Sequence, residues 1–424
     1  MYSWLASVVT ALAERAAGGN GVQLLHAALT LGLGALAWRL TRPAGVLAGR
    51  IIAVAVVLLV GNSAWPERPL LIGLALFAAV IATVESEGSP WVVAGAMWVW
   101  VNVHGSFPLG VAYLFARLAG RKLDRAPMGR LPSLSRAALL GTLAGAVNPL
   151  GPRLLVFPLQ LLARHDILKR VEEWRSPDFS SPESLLLLAG LLLTLFLAGR
   201  RKSYEDGVPV LLFTAAACLA IRNLALASLV VTPGLARSLA GLGTIRGEQR
   251  NGLTAAAGAA VTASAVVIAT VFLQGPAYDL SRYPVRQLDW MEARGLLAER
   301  VAAQDYVGNF LTARRGPKAR VFFDDRFDMY PRSVISDSLV LLDAREGWQR
   351  TLRARGVDVV LWRRSLPLAG LLALDPGWRV VRRDRTWVIA VSRGATSAAI
   401  RRIPDAPAPH PADGRRFDGR RFDG

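Results

Sequence analysis

A single cysteine, Cys218, is all that the 424 residues contain. It lies inside an apolar run, so a disulfide framework, a CxxC pair and a thiolate metal site are excluded within one chain, and a small core residue is the reading left. Acids are also scarce: 31 Asp and Glu stand against 50 Lys and Arg, a formal net charge of +19, and no Asp precedes Asp124. In a soluble chain that excess would point to nucleic acid. The aromatic interleaving of a basic groove that single-strand binders use is missing, and no nucleic-acid partner is expected. A glycine-rich phosphate loop is missing too, which leaves a nucleotide site little support. Met1-Tyr-Ser-Trp-Leu carries no basic segment and no small-residue cleavage site before the first apolar run, so no cleavable signal peptide is expected.

What is abundant is apolar: 53% of residues are hydrophobic and the mean hydropathy is +0.35, concentrated in the first two-thirds of the chain. This predicts a polytopic α-helical membrane protein of about ten spans, followed by a small extracytoplasmic α/β domain. Residues 1–20 read as an interfacial amphipathic helix, with Trp4, Leu5, Val8, Val9 and Leu12 on one face. Spans are expected near 21–38, 51–65, 70–84, 91–103, 107–118, 137–150, 183–198, 208–221, 224–239 and 254–273. Several are shorter than the roughly 20 residues of an upright crossing, so broken or partial helices are expected among them. Residues 21–275 form the multi-span domain, 276–394 the α/β domain, and 395–424, rich in Pro, Ala, Asp and Arg, a disordered tail.

Alternate loops carry Arg39, Arg42 and Arg50, then Arg117 to Arg136, then Arg200 to Lys202, then Arg237, Arg246 and Arg250. These are the cytoplasmic loops of a protein in the plasma membrane. The loop from Glu85 to Pro90 belongs to the same side but holds only acids, so it adds no support. The opposite, outer face receives the Arg68 loop, the Asn102 to His104 turn, the long loop 151–182, the Arg222-Asn223 turn and everything after Gln274. Met1 would then begin outside. Either a first helix is absent from this chain, or a short, weakly charged N-terminus crosses unaided.

The polar interruptions gather on that outer face. Trp98-Val-Trp-Val-Asn102-Val-His104-Gly105 breaks two apolar runs with an amide, an imidazole and a glycine. Side chains of this kind at membrane depth face a bundle interior or a wet cavity, which makes Asn102 and His104 the lip of a cavity. A tight turn with an Asn cap and a permissive Gly is the other reading. In the long loop, Asn148-Pro-Leu-Gly-Pro-Arg153 stops a helix, and 154–162 is an apolar stretch too short to cross, fit for a re-entrant or interfacial helix. After it, Glu172, Glu173, Trp174, Arg175 and Asp178 could hold a cation, a sugar or a phosphate, or could form a solvated face with an aromatic anchor.

In the C-terminal part, helices are expected over 292–314, 335–355 and 366–374, and strands over 320–324, 357–362, 378–381 and 387–391. Asp324, Asp325, Arg326 and Asp328 follow the first strand, where ligands bind in layered α/β sheets. Such residues are equally good turn and N-cap formers.

Arg68-Pro-Leu, Trp100-Val-Asn102-Val-His104-Gly105-Ser-Phe, Asn148-Pro-Leu-Gly, Glu173-Trp-Arg-Ser-Pro-Asp178-Phe, Arg222-Asn223 and Phe323-Asp-Asp-Arg-Phe-Asp-Met-Tyr330 together resemble a group of bacterial multi-pass proteins. That group is similar to the GT-C superfamily of membrane glycosyltransferases, the mannosyltransferase-like proteins that use polyprenyl-phosphate sugars. The resemblance spans nearly the whole chain and implies a GT-C-like fold. Its implied catalytic base, an Asp or Asp-Glu in the first outer loop, has no counterpart here, so the chain is either short at its start or has lost the base. Asp305-Tyr-Val-Gly-Asn-Phe-Leu also departs from the Gly-Gly-Tyr-Leu-type pattern of the group.

Two functions follow. The first is inverting transfer of a sugar from a polyprenyl-phosphate donor at the outer face, which needs a general base and groups that stabilise the departing phosphate. Glu172, Glu173 and Asp178 are the carboxylates that could replace the base or hold a divalent cation, the one cofactor under consideration. Arg68, Asn102, His104, Trp174, Arg222 and Asn223 are the expected substrate-binding residues. The second is a non-catalytic lipid-linked glycan binder, a transporter or a cell-envelope assembly scaffold on the same fold. Membrane lipids and a polyprenyl-phosphate sugar are the partners expected of the first.

Overall fold

A computed structural model of the chain describes residues 3–61, 69–163, 172–180, 203–240, 278–327 and 329–404, with isolated positions between 185 and 196. The fold is mostly helical, with a small sheet in its C-terminal part. Two compact units divide at Tyr278 and Asp279, three residues beyond the composition change.

The first unit is all helix. α1 runs Trp4–Leu40, and its backbone leaves the helical region at Ala17 and Gly18, the latter at φ +61°. A Cβ on Gly21 would lie 2.0 Å from the carbonyl oxygen of Ala13, so the two legs fold sharply at that point instead of continuing in line. The first leg covers the residues of the expected amphipathic segment and the second those of the first expected span. α2 (Leu47–Gly61), α3 (Pro69–Glu85), α4 (Pro90–Val103), α5 (Pro108–Leu123), α6 (Leu131–Ala144) and the short α7 (Arg153–Leu162) follow. Then come α8 (Tyr204–Leu219) and α9 (Leu224–Ser238). Prolines open α3, α4 and α5, where the missing N–H costs nothing and the fixed φ suits a first turn.

Near-continuous apolar sequence makes these helices, and tight packing orders them. Phe77 of α3 stacks on Phe213 of α8 at 5.4 Å between centroids, and meets Trp100 of α4 at 5.5 Å and Tyr113 of α5 edge-on at 5.8 Å. Glycines allow closer approaches still: a Cβ on Gly141 of α6 would lie 2.2 Å from the Ala94 carbonyl of α4. Because α3, α4, α5, α8 and α9 alternate in direction, the unit has two ends. One gathers Gly73, the 104–107 turn and the 221–223 turn; the other gathers Glu85, Arg117, Asp206 and Arg237.

Among the described residues, the helical run Trp4–Ala44 alone is long and apolar enough to cross a membrane, by length and composition. α2, α3, α4 and α7 are apolar but shorter. Helix boundaries moved from those expected where polar residues extend a helix beyond its apolar core. α5 continues through Gly120-Arg-Lys to Leu123, and α6 starts at Leu131 and stops at Ala144 instead of spanning 137–150. The spans expected near 183–198 and 254–273 lie almost wholly outside the described residues.

The second unit is a four-stranded sheet of order β1-β2-β4-β3, with β1 Val301–Ala302, β2 Val359–Arg363, β3 Trp378–Arg383 and β4 Trp387–Ser392. β1 and β2 are parallel and the other pairings antiparallel. Helices α10 (Val285–Glu292), α11 (Asp305–Arg315), α12 (Arg332–Leu342), α13 (Trp348–Ala354), α14 (Pro367–Leu374) and α15 (Ala398–Arg401) complete it.

The expected helix over 292–314 is broken by the left-handed Gly295 and by β1, and that over 335–355 by Ala344 and Gly347, both at positive φ. The strand expected at 320–324 is reduced to a bridge between Val321 and Val301. Residues 395–403, expected as part of the tail, belong to the fold: Ala395, Ile400 and Ile403 are buried in the core with Val359, Leu361 and Ile389, and residues 405–424 lie outside the described part.

Candidate functional site

The turn between α4 and α5 is where the sequence placed the lip of a cavity, and its two polar residues have different roles. Asn102 is 1% exposed. Its amide donates to the Trp98 carbonyl at 2.8 Å, and its oxygen accepts the indole N–H of Trp4 at 2.9 Å. It is a buried brace between α1 and α4.

His104 is 6% exposed. The backbone N–H of Ser106 approaches its Nδ1 at 3.2 Å and the Ser106 hydroxyl at 2.8 Å. A backbone N–H can only donate, so Nδ1 is an acceptor and the proton of the neutral ring sits on Nε2. Trp100 Nε1 donates to the same hydroxyl oxygen at 3.1 Å, which leaves the Ser106 O–H to point at Nδ1. Burial, and secondarily the positive charge of Arg222, push the imidazole down to about 3. A side chain on Gly73 of α3 would meet Trp100 Nε1 at 3.0 Å and Ser106 Oγ at 3.3 Å, so α3 seats this turn.

Arg222 belongs to the 3-10 turn Ile221–Asn223 between α8 and α9. Its guanidinium lies 4.3 Å over the ring of Trp174, a cation–π contact. The turn Glu172–Trp174 docks here through the Ile221 N–H, which donates to the Arg175 carbonyl at 2.9 Å. Thus His104, Trp174 and Arg222 come to one end of the unit, with half-buried Glu173 beside the stacked pair in sequence. Asn223 does not join them: its amide donates back to the Ala216 carbonyl of α8 at 2.8 Å.

Asp178 is exposed, and its Oδ1 accepts from the Ser180 N–H at 2.9 Å and hydroxyl at 2.6 Å. Those bonds hold its carboxyl below the usual range, which makes it a poor base. Arg68, the side chain of Glu172 and all of Asp328 lie outside the described residues.

In the second unit, Asp324 is fully buried and grips Arg326, whose Nε lies 3.0 Å from both carboxylate oxygens. Asp324 Oδ1 also accepts the Arg326 N–H at 3.1 Å. The pair forms a turn, as its good turn composition allowed, and Tyr330 hydrogen-bonds to both side chains, while Asp325 is exposed. Among the described residues no three His, Cys, Asp or Glu side chains gather as a metal cluster.

The charged site that sequence reasoning missed is at the other end of the first unit. Arg117 of α5 lies 2.9 Å from Glu85 of α3 and 3.3 Å from Asp206 of α8, and Arg237 of α9 binds both of the same carboxylates. Four helices thus close a ring of alternating charge: Glu85, Arg117, Asp206, Arg237. Glu205 joins it from α8 through Arg117 at 2.6 Å and Arg121 at 3.0 Å. Val84, Glu87 and Ser203 complete the lining of a cleft of about 640 Å³. The signal was present: acids at the end of α3 and the start of α8 face basic residues at the ends of α5 and α9. Counting only Lys and Arg for topology hid their pairing.

No family model matches the chain, and no curated protein matches it.

Proposed function

We propose that the helical unit is a multi-span bundle in the plasma membrane, and that its His104–Arg222 end binds the phosphate of a polyprenyl-linked sugar at the outer face, in the manner of a GT-C-like glycosyltransferase or an inactive relative. Membrane residence is supported by the large apolar side chains turned outward: Trp91 at 85% exposure, with Leu59, Leu140, Leu143, Leu211 and Leu219. Surfaces of that kind are rare on soluble monomers. The second leg of α1, from Gly19 to Leu40, is about 33 Å long at 1.5 Å per residue, enough for the hydrocarbon core.

The observation that carries the anion reading is the meeting of Arg222, stacked on Trp174, with a buried His104 whose charge it feels and whose neutral ring carries its proton on Nε2. A fixed guanidinium and a neutral N–H suit a phosphate oxygen, and stacking holds the guanidinium plane. Asp178 is engaged in its own turn, and Glu172 and Glu173 are the carboxylates proposed for a base. That engagement favours the second reading, a lipid-phosphate-sugar binder without transfer.

Binding of a polyprenyl phosphate to the full chain in nanodiscs tests the proposal. Arg222→Ala should weaken it by about 2 to 3 kcal/mol, the scale of a hydrogen bond to a charged group. Arg222→Lys should recover part of that, because an ammonium lacks the planar fork. Unchanged affinity in the folded Ala variant would remove the reading. Sugar release from a radiolabelled lipid-phosphate sugar, abolished by Glu173→Gln, separates transfer from binding alone.

A further inference from the structure

We infer that Asp206, at the far end of the first unit from His104 and Arg222, is a positioning residue for the anion site; the inference rests on the lipid-phosphate reading of that site. Asp206 opens α8, and α8 ends at the turn that carries Arg222. From there it accepts from Arg237 Nε at 2.9 Å, which fixes the end of α9, the other helix flanking that turn. It also meets Arg117 of α5 at 3.3 Å, and α5 begins just past His104. Glu85 closes the ring from α3, whose opposite end seats Trp100, Ser106 and His104 against Gly73.

Every helix in the ring therefore runs to one of the two turns that form the site, or packs on one. Helices of 15 to 17 residues are about 22 to 26 Å long. Pro209 of α8 and Pro233 of α9 each remove one internal hydrogen bond, and both helices still run continuously to the Arg222 turn, so an angular change at the ring moves the other end. Asp206 is the ring member that sits on the Arg222 pair and reaches across to the His104 helix. It is buried, and Gly234 of α9 lies beside it. The role is one of geometry: Asp206 sets where Arg222 stands relative to His104 without touching the ligand.

The test uses the full chain in nanodiscs in a Cys218→Ser background, with spin labels at Pro108→Cys on α5 and Leu219→Cys on α8, both exposed and both at the His104 end. Electron paramagnetic resonance reads the distance between labels, and polyprenyl-phosphate affinity is measured on the same samples. Asp206→Asn should shift and broaden that distance and lower the affinity, and Asp206→Glu should restore both in large part. Glu87→Gln serves as the contrast. Glu87 lies in the loop between α3 and α4, is more than half exposed and meets Arg121 at 3.5 Å, so its loss should leave the label distance in place.

If Asp206→Asn cannot be purified as a single species, Arg237→Lys replaces it. An ammonium cannot hold Glu85 and Asp206 together as a fork does, and the same shift is expected. An unchanged label distance in either folded variant overturns the role of Asp206, whatever the affinity does. Absence of lipid-phosphate binding by the unsubstituted protein, with the label shift intact, overturns the reading of the site instead.

Discussion

Trp4 and Asn102 stand 98 residues apart in sequence, and the indole N–H of one donates to the side-chain oxygen of the other at 2.9 Å. The bond ties the first leg of α1 to the buried end of α4, so that leg is part of the bundle instead of a detachable surface helix. Asn102 is buried, and Trp4→Phe would leave its oxygen without that donor. The expected cost is about 1 to 3 kcal/mol, the penalty of an unsatisfied buried acceptor. Thermal unfolding of the purified variant should show a lower midpoint; an unchanged midpoint would mean that the bond contributes nothing.

The same pair marks the limit of what could be read in the sequence. Helix positions were legible because apolar runs bounded by Pro and Gly leave few alternatives, and the kink at Ala17-Gly18 fell where the amphipathic segment was expected to end. The pairing of His104 with Arg222 was legible in outline from loop alternation. The brace made by Asn102 was not legible because an amide near a helix end looks the same whether it lines a cavity or ties two helices, and the partner, Trp4, is distant in sequence. In the second unit, helical periodicity ran through 292–314 and hid a two-residue strand, since β1 exists by pairing with β2 and not by any local preference. Asp324 was legible as a turn residue, and its full burial against Arg326 came from tertiary packing.

Arg117 should be the costliest charge in the ring to remove. Its side chain is 7% exposed and faces Glu85, Glu205 and Asp206, so Arg117→Gln leaves three carboxylates crowded together. Breaking a buried pair on one side costs about 3 to 5 kcal/mol. Arg121→Gln should cost less, about 1 kcal/mol or below, because one of its partners, Glu87, is exposed. Chemical denaturation of the two variants should rank them in that order, and equal losses would show that the ring is no more than a surface network.

Stability should fall on acidification through His104. Its folded value is lowered to about 3, against about 6.5 in an unfolded chain, so between those values the unfolded state binds the extra proton and gains from it. The native state is fully favoured above about pH 6.5 and progressively less so toward pH 3. His104→Gln removes this titration while keeping a neutral polar side chain. The unfolding midpoint of the variant should fall less than that of the unsubstituted protein between pH 7 and pH 5, and parallel curves would exclude a buried neutral imidazole.

Two glycines of the second unit should respond to alanine with opposite signs. Gly308 lies in the first turn of α11, and a Cβ there would stand 2.2 Å from the carbonyl oxygen of Phe323 and 3.3 Å from the Asp324 Cα. Those atoms belong to backbone next to the Val301–Val321 bridge, so they cannot yield as a flexible side chain would. Gly308→Ala should destabilise by about 1 to 3 kcal/mol, the usual range for overpacking. Gly370 is inside α14 with open space where its Cβ would go. Gly370→Ala should stabilise by about 0.5 to 1 kcal/mol, since alanine restricts the unfolded chain and suits a helix interior. Residues 279–404 contain a closed core of their own, built on Leu288, Val301, Leu311, Leu361 and Ile389, and expressed alone they should melt cooperatively. In that fragment the two variants should move the midpoint in opposite directions. A fragment without a cooperative transition would mean that the sheet depends on the rest of the chain; a stabilising Gly308→Ala would mean that α11 is not pressed against the turn that buries Asp324.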